Sequence, residues 1–117
     1  MLTNLHQTLQ QRFRLDSFRP GQLEAIHAIL SGQHTLAVMP TGSGKSLIYQ
    51  VASLHLSGIT LVISPLIALM QDQVANLDRL DIPATYINSS LPPNEQARRL
   101  QEVRANGSMI PFCEKTR

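Results

Sequence analysis

Cysteine is almost missing from this chain: Cys113 is the only one in 117 residues. An intrachain disulfide is therefore excluded, and so is a zinc site built from several thiolates. His6, His27, His34 and His55 lack metal-ligand spacing, and ordinary surface or half-buried positions account for them. No apolar run approaches the roughly 18 residues of a membrane-spanning helix. The start, Met1 to Gln7, has neither the basic nor the apolar part of a secretory signal, so a soluble, cytoplasmic or nuclear protein is expected. Acidic residues are few and scattered: Asp16, Glu24, Asp72, Asp78, Asp81, Glu95, Glu102 and Glu114. No two are adjacent, and none is expected to close an apolar strand. Charged residues make up 15% of the chain and hydrophobic ones 43%, enough apolar material for a core and for at most one domain. The net charge of +2 is compatible with nucleic acid without pointing to it. A solvated helix face explains Arg98, Arg99 and Arg104 as well as a phosphate-binding patch does.

The most informative stretch present is Met39-Pro40-Thr41-Gly42-Ser43-Gly44-Lys45-Ser46. Thr35 to Met39 reads as a short buried strand before it. Leu47, Ile48, Val51, Ala52, Leu54 and Leu56 recur at helical spacing after it. Strand, glycine turn and helix form the context in which such a turn cradles phosphate. Gly42 and Gly44 let the backbone bend with its N–H groups inward, and the next helix adds unpaired N–H groups and a positive dipole end. Lys45 then reaches the β- and γ-phosphates, and the Ser46 hydroxyl ligates Mg²⁺. Met39 stands where the general pattern has a first glycine. The bland alternative is a glycine turn that merely joins strand to helix.

Around this loop, Leu2, Leu5, Leu9 and Phe13 predict an amphipathic first helix. Pro20 suits the first turn of a second, with Leu23, Ile26, Ile29 and Leu30 inward and Gly32 closing it. From local sequence Gln22 is an exposed helix residue. Its amide nevertheless offers the donor and acceptor that match adenine, and Arg19 could lie on the ring. Thr60 to Ser64 reads as a strand buried on both faces of a parallel sheet. A helix follows with Leu66, Leu69, Met70, Val74 and Leu77 inward. Ala84 to Asn88 reads as a further strand, and a helix running through Glu95 to Ala105 ends at Asn106-Gly107.

Phe18-Arg19-Pro20-Gly21-Gln22, then Met39 to Gln50, then Ser64-Pro65-Leu66-Ile67-Ala68-Leu69-Met70-Gln71-Asp72-Gln73 resemble, in order and spacing, the opening motifs of RecQ-family DNA helicases of superfamily 2. The resemblance covers residues 5 to 105. It implies an α/β fold of the RecA-like P-loop NTPase kind, an incomplete parallel sheet with flanking helices. It also implies ATP and Mg²⁺ as cofactors, and DNA, as single strand and duplex junctions, as partner of the full-length protein in the bacterial nucleoid or the nucleus. By resemblance Gln22 reads adenine, Arg19 contacts the ring, and Thr41, Gly42, Ser43, Gly44, Lys45 and Ser46 hold the phosphates and metal. Lys45 is the catalytic residue, and Ser64, Pro65 and Leu66 lie along the single strand. One departure is Leu15, where many members carry an aromatic residue that stacks on the base.

Residues 1–105 thus read as the N-terminal part of a helicase ATP-binding domain, and 106–117 as an atypical tail of a truncated or frame-shifted product. Pro111 interrupts the only apolar run in that tail, so no strand is expected there. With no acidic pair and no second motor domain, this piece alone is not expected to hydrolyse ATP or unwind DNA. A catalytically inactive ATP- and nucleic-acid-binding fragment, a stump that cannot fold stably, and a small P-loop kinase are the competing readings. The last leaves the first and third motifs unexplained.

Overall fold

The computed structural model of the protein describes residues 2–39, 44–107 and 109–114. The chain divides into two units, Met1–Ser57 and Gly58–Arg117.

The first unit holds three described helices, α1 (Leu2–Phe13), α2 (Gln22–Leu30) and α3 (Lys45–Leu54). Leu5, Leu9 and Phe13 are buried along one face of α1, as their spacing predicts. On α3 the buried residues are Ile48, Val51 and Ala52, joined by Gln50. Helix α2 departs from expectation. Gly21 takes a left-handed conformation at φ 88°, which starts the helix at Gln22 and leaves Pro20 in the preceding turn. The buried side chains of α2 are Gln22, Ala25 and Ile26, whereas Leu23, Ile29 and Leu30 are only half-buried. Its end matches the sequence. Gly32 is left-handed, its N–H reaches the Ile29 carbonyl at 3.0 Å, and the Gln33 N–H reaches that of Ala28 at 3.1 Å.

Thr35 to Met39 does not form the expected buried strand. Residues 33–39 carry no strand pairing, and Leu36 and Val38 are 89% and 86% exposed. An apolar run becomes a two-sidedly buried strand only when neighbouring strands take its N–H and carbonyl groups and helices cover its faces. Among the described residues no strand pairs with this run.

The second unit runs β1 (Val62–Ile63), α4 (Ile67–Arg79), β2 (Ala84–Ile87), α5 (Pro93–Asn106) and β3 (Ile110–Cys113). The three strands form a parallel sheet in the order β1-β3-β2. Its core gathers Met70, Leu77, Ile82, Ala84, Val103, Ile110 and Phe112. Leu66 and Leu69, expected inward, are exposed. Helix α5 matches its sequence signals, with Pro93 in the first turn and Gly107 left-handed after Asn106.

The tail therefore supplies the central strand, against expectation. Along β3 successive residues direct their backbone groups to opposite neighbours. The Ile110 N–H reaches the Pro83 carbonyl on the β2 side at 3.0 Å, and the Cys113 carbonyl accepts from Ser64 N–H on the β1 side at 2.9 Å. By this alternation Pro111 faces β1, where the ladder would direct its N–H at the Thr60 carbonyl. Proline has no N–H to give. Pairing with β1 accordingly begins only at Val62 opposite Phe112, while β2 pairs in full from Ala84 opposite Ile110 to Ile87 opposite Cys113. The strand expected over Thr60 to Ser64 is reduced to two residues for this reason. Glu114 follows β3 directly, so one carboxylate does close an apolar strand. It accepts a hydrogen bond from the Ser89 N–H just beyond β2.

Candidate functional site

Three of the residues singled out in the sequence meet in the first unit. Gln22, on the first turn of α2, is only 2% exposed, which overturns its local reading as a surface residue. Its Oε1 accepts from the Arg19 N–H at 2.7 Å, and its Nε2 donates to the Gly44 carbonyl at 2.9 Å. One amide thus ties the turn containing Arg19 to the residue immediately before α3. Gly44 is left-handed at φ 81°, and a Cβ on it would stand 2.5 Å from the Gln22 Nε2. The left-handed backbone favours glycine there, and a Cβ would push the Gln22 amide off its bond to the Gly44 carbonyl.

Helix α3 starts at Lys45 with no side-chain cap and no acid in its first turn. The Leu47 N–H turns back to the Gly44 carbonyl at 3.2 Å, and the positive dipole end of the helix at Lys45 favours an anion. The Lys45 side chain is exposed beside it. Ser46 is half-buried and hydrogen-bonded to the Tyr49 phenol one turn on, while burial pushes the Tyr49 pKa up. The Ser46–Tyr49 pairing was missed in the sequence, although a separation of three on a helix was its signal. Thr41, Gly42 and Ser43 lie outside the described residues.

Ser64, Pro65 and Leu66 belong to the second unit, at the carboxyl end of β1. The Ser64 hydroxyl accepts from the Leu66 N–H at 3.1 Å and so engages one backbone donor at the start of α4. Pro65 and Leu66 are exposed. Arg99 is no solvated residue. Its Nη1 donates to the Tyr86 carbonyl at 3.0 Å, its guanidinium lies 4.4 Å from the Tyr86 ring centre, and Glu95 holds its Nε at 2.9 Å. Among the described residues no three His, Cys, Asp or Glu side chains gather as a metal set.

Parallel strands joined by helices, with a glycine-lysine-serine turn opening α3, define the class in which the family comparison falls. The family model described as DEAD/DEAH box helicase matches residues 19–113, and the chain belongs to that family. Within it, the relatives are of the RecQ kind. The chain is 48% identical over 101 residues to the ATP-dependent DNA helicase RecQ of Haemophilus influenzae, covering 86% of this chain and 16% of that protein. It is 46% identical over 114 residues to the ATP-dependent DNA helicase Q-like 5 of Arabidopsis thaliana, covering 97% and 12%. To the ATP-dependent DNA helicase hus2/rqh1 of Schizosaccharomyces pombe it is 41% identical over 112 residues, covering 92% and 8%. The chain thus spans less than a fifth of the length of each of these three relatives.

Proposed function

We propose that this chain is the N-terminal part of the first motor domain of a RecQ-type, ATP-dependent DNA helicase. It binds ATP with Mg²⁺ and contacts single-stranded DNA, in the bacterial nucleoid or the nucleus. The observation that carries this reading is the join between Gln22 and Gly44, which brings the Arg19 turn to the uncapped start of α3. The residues present fit the nucleotide: the N–H groups at the start of α3 and the Lys45 ammonium for the phosphates, the Ser46 hydroxyl for the metal, and the second hydrogen and lone pair of the Gln22 amide for adenine. Thr41, Gly42 and Ser43 complete the phosphate cradle, and Arg19 lies on the base. The nucleotide supplies the phosphoanhydride whose cleavage drives unwinding. Ser64, Pro65 and Leu66 take the DNA strand. Hydrolysis and unwinding, at duplex junctions, belong to the full-length protein, because this stretch carries neither an adjacent acidic pair nor a second motor domain.

Calorimetry of ATP·Mg²⁺ on the wild-type chain and Lys45→Ala in parallel tests the phosphate site. Binding by the wild type and its loss in the folded variant is the expected outcome, since the substitution removes the charge that meets the β/γ-phosphates. Equal affinity in the two chains would refute the role of Lys45.

A further inference from the structure

We infer that Gln22 is a positioning residue for the phosphate-binding turn, acting through the Gly44 carbonyl whichever base is bound. The inference rests on the proposed nucleotide reading and adds a role distinct from base recognition. A glutamine amide carries two donor hydrogens and an oxygen with two lone pairs. In this protein one hydrogen goes to the Gly44 carbonyl and one lone pair to the Arg19 N–H. Half of its capacity is thus spent inside the protein, on an amide that is almost fully buried.

The Gly44 carbonyl shares one rigid peptide plane with the Lys45 N–H, and in a trans peptide the two point in opposite directions. Holding that carbonyl therefore aims the Lys45 N–H, the first backbone donor of α3. The same carbonyl also accepts from the Leu47 N–H at 3.2 Å, so the plane is fixed from two sides. With the Gln22 hydrogen bond gone, the plane of a left-handed glycine is freer to rotate, and the donor loses its aim. This effect reaches the phosphates and does not depend on adenine. A second contribution, from the remaining hydrogen and lone pair of the amide, would fall on the base alone.

The probe that separates the two is inorganic triphosphate with Mg²⁺, which has the phosphates and no base. Calorimetry on the 117-residue chain would compare triphosphate, ATP and GTP for wild type, Gln22→Ala and Gln22→Met. Gln22→Met keeps the length of the side chain and stays uncharged when buried, but has no hydrogen for Gly44. Both variants are expected to bind triphosphate about tenfold more weakly, the scale of one lost hydrogen bond to a buried group. ATP should weaken by at least the same factor. For Gln22→Met triphosphate affinity should fall in a chain that still unfolds cooperatively, a pattern that general loss of structure would not give. Should Gln22→Ala fail to fold, Gln22→Met carries the same test. Unchanged triphosphate affinity in a folded variant would overturn the inference and leave base recognition standing. A wild-type chain that binds neither ATP nor triphosphate would overturn the nucleotide reading itself.

Discussion

The two edges of the sheet are finished differently. On the outer side of β2, Arg99 reaches from α5, donates to the Tyr86 carbonyl, covers the Tyr86 ring and is itself held by Glu95. An edge carbonyl that could pair with another chain is thereby occupied. Among the described residues of the second unit the outer side of β1 has no such cover: no strand pairs with it, and Ile63 is 62% exposed. No Asp, Glu, Lys or Arg occurs from Leu56 to Gln71, so no fixed charge guards that edge either. A guarded edge here needs an arginine placed by a helix, an acid that holds the arginine, and an aromatic ring for it to lie on. Within the second unit the β1 edge has none of these.

If Arg99 seals β2, Arg99→Ala should destabilise the second unit by about 0.5–1.5 kcal/mol, the net worth of a hydrogen bond to a half-buried carbonyl. Arg98→Ala is the control. Arg98 bonds Glu95 at 2.5 Å and Glu102 at 2.8 Å, but its side chain is 59% exposed, so solvent screening should leave its loss with little effect. Denaturant midpoints of the two variants decide it, and equal midpoints would mean that Arg99 guards nothing.

A smaller effect should follow acidification. The hydrogen bond from Arg98, then that from Arg99, holds the Glu95 carboxyl at a pKa of about 2 against an ordinary 4.5. A depressed folded-state pKa gives stability that is complete above the unfolded value and lost as pH falls through the folded one. The stability difference between wild type and Glu95→Gln should therefore be constant from pH 7 to about 5 and shrink towards pH 2. Solvent screening keeps it modest. A difference that does not change over that range would remove Glu95 from the guard.

The least change in stability is expected from Pro111→Val, which returns to β3 the N–H that β1 lacks. One added hydrogen bond of about 0.5–1.5 kcal/mol is offset by the greater freedom of the unfolded chain, about 0.4–1 kcal/mol. The readout is amide exchange: the new amide at position 111 should be protected, and pairing with β1 should extend back to Thr60. If that amide exchanges freely, Pro111 is not what shortens β1.

Much of this is legible in the sequence, wherever a signal is local. Helices α1 and α3 follow from their periodicity, although α3 ends at Leu54 and leaves Leu56 exposed; α5 follows from its terminal residues and α2 from Gly32 at its end. The burial of Gln22 does not, because its partner, Gly44, is 22 residues away and invisible to helical spacing. The role of Arg99 is hidden in the same way. Its bond to Glu95 resembles any surface pair, while its decisive partner, Tyr86, lies 13 residues earlier. Thr35 to Met39 misleads because an apolar run records what a strand requires but not whether neighbours are there to supply it. β3 escapes notice when proline is weighed as a break in the whole strand. Its missing N–H concerns one neighbour only, and here that neighbour is the short β1.

The order β1-β3-β2 also sets an order of events in time. β1 and β2 do not touch through the ladder; each pairs with β3 alone, and β3 is the last of the three to be made. Until Ile110 to Cys113 leaves the ribosome, two apolar strands wait without a partner. The sheet then closes across sequence separations of about 50 and 26 residues, from the pairs Val62 with Phe112 and Ala84 with Ile110. Such long closures are slow. A nascent chain stopped anywhere before residue 110 lacks the strand through which β1 and β2 are joined.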